Sequence, residues 1–546
     1  MVTRRALLTA AGSAPLFSQR ARRPNVLLIM TDDQGYGDLS IHGNPHLKTP
    51  HMDSLGRAGV QFTQFQVSPV CSPTRASLMT GRYNYRTGVV DTYLGRSMMY
   101  SDEVTLPELL REAGYQTGIF GKWHLGDNYP MRPIDQGFAE AIVCKGGGVG
   151  QPSDPPGNTY FDPILQHNGK AEKFQGYCTD IFAGQAIDFI SRHRERPWFA
   201  YLATNAPHTP LQVDEKLAAP FLAMGLDEVT SKIYAMVVNA DAAIGRVLGK
   251  LRDLKLEENT IVMFLTDNGP QQRNRYNAGM RGAKGTVYQG GIRVPFFFRW
   301  PARVRGGGAI DRIAAHIDVL PTVLEACGVE RRPELRIDGR SLMPLLGGNA
   351  GGWPDRTLFT QWHRGDEPQI FRDCAARSQR FKLVNGKELY DLEADQSETK
   401  DIAAEHPETA ARLRKAYEEW FRDVSSTRGY APPRIPLGTA HENPVILTRQ
   451  DWRGPRGGWD KTSLGYWEVE VASPGKYEIE LLFAPVEREG SAEFRLSGTK
   501  ESCALKAGQS ACRLMAALAK GPGRLEAEVS SGGQTGGVQY VHARKL

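Results

Sequence analysis

The chain has few cysteines, no internal repeat, and no basic stripe interleaved with aromatic residues. Beyond its first two dozen residues it also has no apolar run long enough to span a bilayer. Each absence removes a class. Seven cysteines in 546 residues are too few for a disulfide scaffold, and their spacings do not suggest zinc. A repeat array and a coiled coil are excluded, as is a nucleic-acid-binding surface. The formal charge of +6 owes most of its size to Arg4, Arg5, Arg20, Arg22 and Arg23, ahead of the first expected strand. Hydrophobic content of 40% and charge of 23% are those of a globular protein, and this length should divide into two or three units.

The amino terminus reads as an export signal. Arg4-Arg5 precede an apolar run over 6–17, too short for a membrane anchor. The twin arginine suggests one export route, and an ordinary secretory signal is the alternative. Export, to a periplasm or the cell exterior, permits disulfides. If Cys71 is consumed by modification, six cysteines remain: Cys144, Cys178, Cys327, Cys374, Cys503 and Cys512. The last two flank a short turn-like segment and are the expected pair.

The chain is organised around Cys71-Ser72-Pro73-Thr74-Arg75, continued by Leu78-Met79-Thr80-Gly81-Arg82. A thiol precedes a Pro-bearing first turn, where unpaired backbone N–H groups favour an anion. With Arg75 nearby, such a cysteine is expected to have a lowered pKa and to be partly thiolate. A small buried cysteine at a strand–helix junction is the plainer alternative.

Other polar residues cluster at the ends of apolar runs. The run over 25–30 reads as a strand buried on both faces and ends in Asp32-Asp33. Two adjacent buried carboxylates are costly unless a cation neutralises them. The run over 260–266 ends likewise in Asp267-Asn268. Strands separated by helices form a largely parallel sheet, and ligands bind beyond the carboxyl ends of its strands. Four oxygen donors without sulfur describe a hard cation, calcium or magnesium. In an extended segment Lys122 and His124 share a face. They are read either as a charge-stabilising and acid–base pair or as a surface lysine and a core histidine. His208 stands between Pro207 and Pro210 just beyond a strand over 198–203, and Lys284 lies in a Gly-rich loop after the acidic pair. The stretch 146–150 is a flexible loop without a phosphate-cradling pattern.

The blocks Asp32-Asp33-Gln34-Gly35-Tyr36-Gly37-Asp38, Cys71 to Arg82, Gly121 to Gly126 and Thr266-Asp267-Asn268-Gly269 stand in the order of the type I sulfatases of the alkaline phosphatase superfamily. The chain resembles that family over about 25–420. The resemblance implies that Cys71 is oxidised to formylglycine by a maturation enzyme. It also implies one calcium held by Asp32, Asp33, Asp267, Asn268 and an oxygen of the modified Cys71. Arg75 would hold the aldehyde hydrate, and Lys122 and Lys284 would stabilise sulfonate charge. His208 with Lys284 would protonate the leaving alcohol, and His124 would take a hydroxyl proton during elimination. The implied activity is sulfate ester hydrolysis, on a sulfated carbohydrate or small molecule. A phosphatase or phosphonate monoester hydrolase is the alternative, and a non-catalytic sulfated-glycan binder stands behind both.

The expected architecture is α/β: a large mostly parallel sheet flanked by helices, a smaller α+β unit with an antiparallel sheet, and a C-terminal β-sandwich. The expected divisions are an export signal over 1–22, the catalytic unit over 23–356, the small unit over 357–430, a Pro-rich linker over 431–440 and the sandwich over 441–546. Trp452, Trp459 and Trp467 look exposed in that last region. Such residues stack on sugars or fill a sandwich core.

Overall fold

The structure is a computed structural model that describes residues 23–349 and 351–546. The expected export signal lies outside the described residues. A ten-stranded mixed sheet forms the main body. Its middle is parallel: Asn25–Thr31 lies between Thr260–Thr266 and Trp198–Ala203, with Gln116–Lys122 and Glu140–Cys144 beyond. The flanking strands pair antiparallel, except that Gly308–Ile310 runs parallel to Val60–Phe62.

The apolar runs follow from burial on both faces. Val26, Leu28 and Met30 enter one core with Ala76, Leu78 and Leu320, while Leu27 and Ile29 enter the opposite core with Phe182, Met236 and Ile244. Helices Cys71–Thr80 and Val319–Cys327 cover the first face, and Cys178–Arg192 and Glu228–Asp253 cover the second. Alternation is lost because neither face meets water. Register then aligns the strand ends. Thr31 pairs with Thr266, Met30 with Ala203 and Gly121 with Ala203, so the residues just after these strands share one edge.

A four-stranded antiparallel sheet, Leu358–Gln361 to Glu388–Asp391, packs under helix Pro407–Ser425. Farther along, a six-stranded and a four-stranded sheet enclose one apolar core, as in a β-sandwich. The Pro-rich stretch expected as a linker is in part strand: Ile435–Leu437 pairs in parallel with Tyr466–Val471. Cys503 and Cys512 form a disulfide. Trp452 and Trp467 are fully buried, contrary to the exposed appearance of the sequence, and only Trp459 reaches the surface, 40% exposed. Alternation puts every second residue of Tyr466–Val471 inward, and Trp467 falls on that face. The sandwich core also takes in Leu94, Met98 and Met131 from far earlier in the chain.

Candidate active site

Every candidate residue named from the sequence reaches the carboxyl edge of the parallel strands. Lys122 Nζ donates to Asp32 Oδ2 at 2.7 Å, and Lys284 Nζ to Asp33 Oδ1 at 2.6 Å. Arg75 donates from Nη2 and Nε to Asp267 Oδ2, at 2.7 and 3.2 Å, and from Nη1 to the Lys122 carbonyl at 2.9 Å. Asn268 Nδ2 donates to Asp33 Oδ1 at 2.7 Å. Asp33 turns the chain with φ +63° and donates its N–H to Asp267 Oδ1 at 3.2 Å. Cys71 opens its helix, and its Sγ and one oxygen each of Asp32 and Asp267 lie within 4.8 Å of one another.

The donor set suits a hard cation. Asp32 Oδ1, Asp33 Oδ2 and Asn268 Oδ1 are buried and have no hydrogen-bond partner among the described residues. An unpaired buried oxygen is costly, and three in one place call for a positive centre. Burial, with Asp267 and Asp33 beside it, pushes the Asp32 carboxyl up despite Lys122. Burial acts the same way on Asp33 and Asp267. There the cations win: Lys284, with Lys122, lowers Asp33, and Arg75 with Lys122 lowers Asp267. A bound cation would relieve the Asp32 imbalance directly.

The thiol differs from expectation. Burial raises the Cys71 pKa, and Lys122 and Lys284 do not offset it. The first-turn position favours an anion, but desolvation of a fully enclosed sulfur outweighs that. Cys71 is a protonated thiol here, not a partial thiolate.

Lys122 and His124 are not consecutive same-face residues of one strand. The strand ends at Lys122, and His124 has φ +63°. His124 Nε2 contacts the Thr92 carbonyl at 2.7 Å, so the proton sits on Nε2, and buried Nδ1 is left without a partner among the described residues. His208 is held the opposite way: Nδ1 donates to the Thr209 carbonyl at 2.6 Å, and Nε2 stands 3.7 Å from Asp33 Oδ2. Burial lowers both histidines, His208 to about 3 against the pull of Asp33. Both are neutral near pH 7. Lys284 keeps its proton, because Asp33 outweighs the cost of burial.

Two contributors escape a reading of the sequence. The loop over 146–150 packs on both histidines: a Cβ at Gly147 would stand 2.7 Å from His124 Cε1, and one at Gly148 would stand 3.2 Å from His208 Nδ1. Its run of glycines is the available signal. Gln450, from the sandwich, donates through Nε2 to the Thr92 carbonyl at 2.8 Å and lies 3.4 Å from His124 Nε2. No local pattern marks it.

Comparison with known proteins gives a consistent result. A family model described as Sulfatase matches residues 24–329, and one described as N-sulphoglucosamine sulphohydrolase, C-terminal, matches 283–423. The chain is 33% identical over 375 residues to N-acetylgalactosamine-6-sulfatase of Homo sapiens, covering 63% of this chain and 69% of that one. It is 30% identical over 457 residues to arylsulfatase A of Homo sapiens, covering 76% and 85%. The crystal structure of Ps i-CgsB in complex with k-i-k-neocarrahexaose matches with a TM-score of 0.69 and 29% identity, over 75% of this chain and 95% of that one.

Proposed function

The chain belongs to the sulfatase family and is a sulfuric ester hydrolase, and on that premise we propose that it acts through formylglycine made from Cys71, with one calcium ion, on a sulfated carbohydrate. The observation that carries the chemistry is the setting of Cys71: a protonated, enclosed thiol at a helix start, beside two carboxylates and within reach of Lys122 and Lys284. Such a thiol is a poor nucleophile as it stands. Oxidation to the hydrated aldehyde would supply two hydroxyls, one to attack sulfur and one to expel sulfate. Calcium, held by Asp32, Asp33, Asp267, Asn268 and an oxygen of the modified residue, would supply a fixed positive charge beside the sulfonate.

The chain's own groups divide the remaining work. Lys122 and Lys284 are fixed before reaction and face charge that grows on the sulfonate oxygens, which is where preorganised cations contribute most. Arg75, fully enclosed, holds Asp267 and the Lys122 carbonyl in place. His124 Nδ1, bare and neutral, accepts a proton from the hydroxyl that collapses. Lys284 holds the proton needed by the departing alcohol oxygen. His208, neutral at rest, takes part in its delivery as charge builds there.

Sulfated carbohydrate as the substrate class is supported by the names of two relatives, one a sulfatase of N-acetylgalactosamine and one bound to a neocarrahexaose. Export is proposed from the basic and apolar amino terminus. No helix among the described residues is long and apolar enough to cross a membrane.

Protein co-produced with a maturation enzyme should carry formylglycine at position 71, read by mass spectrometry of the spanning peptide, and should turn over p-nitrophenyl sulfate. Cys71→Ala should abolish turnover. Cys71→Ser should be nearly as poor, since one hydroxyl cannot both attack and release. An intact thiol in fully active protein refutes the reading, and preference for a phosphate ester would favour the phosphatase alternative.

A further inference from the structure

Resting on the reading of the centre as a sulfated-carbohydrate site, we propose that Tyr93, Trp362, Arg364 and Trp459 at its mouth bind a neighbouring sugar ring that carries a second anionic group. The placement follows from interactions within the centre. The Thr92 carbonyl receives the His124 Nε2 proton, and Tyr93 is the next residue. Gly285 follows Lys284, and a Cβ there would stand 3.0 Å from the Trp362 ring. Tyr93 thus follows the residue bound to His124, and the Trp362 ring packs on the residue after Lys284.

Arg364 bridges them. Its guanidinium carbon lies 4.5 Å from the Tyr93 ring centroid and 5.1 Å from that of Trp362. Asp91, fully buried, fixes both partners: its Oδ1 accepts from Trp362 Nε1 at 3.0 Å and from Arg364 Nη1 at 2.8 Å. Arg364 Nε and Nη2 make no hydrogen bond among the described residues, and its side chain is 48% exposed. A planar cation held over aromatic rings with donors facing solvent suits a sulfate or carboxylate.

The fourth member comes from the sandwich. Trp459 meets Tyr93 edge-on, with centroids 5.2 Å apart and planes at 76°. It also lines a cavity of about 190 Å³ with Gly150, Pro155 and Tyr540, so it stands beside the end of the loop over 146–150. An exposed indole edge-on to a tyrosine, beside an arginine, offers a sugar ring both a stacking face and a charge. A small aryl sulfate has neither a neighbouring sugar ring nor a second anion to place on this group. The sandwich is then a wall of the substrate site, and Gln450, seated on the Thr92 carbonyl, anchors that wall beside His124.

The test uses the full matured chain. Binding is measured on the Cys71→Ala protein with ι- and κ-neocarrahexaose, which differ in the sulfate on the adjoining ring. Chondroitin 6-sulfate tetrasaccharide, intact and carboxyl-reduced, forms a second pair. Turnover is measured with the same sugars and with p-nitrophenyl sulfate on the matured protein. The oligosaccharide bound most tightly should carry the second anion. Arg364→Ala and Trp459→Ala should each weaken that binding about tenfold, and should lower by a similar factor the ratio of kcat/KM on that oligosaccharide to kcat/KM on p-nitrophenyl sulfate. Arg364→Lys should recover part of the loss. The proposal is overturned if the variants leave affinity and ratio unchanged, if the neutral-neighbour sugars bind equally well, or if no oligosaccharide binds more tightly than p-nitrophenyl sulfate. Full turnover of p-nitrophenyl sulfate by protein with unmodified Cys71 would instead count against the reading of the centre, and the binding comparison would still judge the rim.

Discussion

Ending the chain after Tyr430 should unfold or aggregate the remainder, not simply remove an accessory module. The cut would expose Leu94, Met98 and Met131, each no more than 6% exposed and each packed in the sandwich core. At roughly 1.5–3 kcal/mol for each buried apolar side chain, the burial forfeited is about 5–9 kcal/mol. That approaches the whole stability of a typical folded domain, about 5–15 kcal/mol. The cut also removes the Glu442 Oε2 that accepts from the Tyr129 N–H at 2.8 Å, and the Arg453 Nη2 paired with Asp366 at 2.6 Å. The partners they leave behind lie near the surface and can turn to water, so they add little to the sum. The assay compares 23–430 with 23–546 for soluble yield, size-exclusion profile and thermal unfolding. A truncated chain that does stay folded should melt about 10 °C lower or more. A monodisperse truncated protein with an unchanged Tm and full p-nitrophenyl sulfatase activity would refute the packing argument.

Asp267→Ala should lose both calcium and turnover, and should cost about 3–5 kcal/mol by leaving the Arg75 guanidinium, 1% exposed, without its carboxylate; zinc in elemental analysis of active wild-type protein would refute the choice of metal. Gly147→Ala should lower kcat about 100-fold by displacing the His124 ring, while Gly148→Ala, with the looser approach, should do less harm. The reverse order in steady-state kinetics would contradict the geometry. His316 is buried with Nδ1 donating to the Gln66 carbonyl and Nε2 beside Ser68 Oγ, and burial lowers its pKa to about 3. The folded state thus binds fewer protons than the unfolded one, whose histidine titrates near 6.5. Its share of stability is present above about pH 6.5 and is lost on acidification, roughly 3 kcal/mol by about pH 4.5. Denaturant melts of wild type and His316→Gln across that range should converge at low pH, and parallel curves would refute the assignment.

What the sequence determined by itself was the local grammar of the centre. Uninterrupted apolar runs declare strands buried on both faces, and a polar group directly after such a run must emerge at a strand's carboxyl end. Asp32, Asp33, Asp267 and Asn268 are therefore readable as one cluster from the chain alone, and the Cys71 to Arg82 string identifies the family. Three matters needed the tertiary structure, because each depends on neighbours far away in the chain. The ionisation of Cys71 is set by full enclosure, which no local charge pattern reveals. Which ring nitrogen of His124 is bare depends on a carbonyl 32 residues earlier. The role of the C-terminal strands depends on Gln450 and Trp459 meeting Thr92 and Tyr93 across more than 350 residues. Strand alternation predicts that such a sandwich forms, but the surface it packs against is decided only when Leu94, Met98 and Met131 close its core.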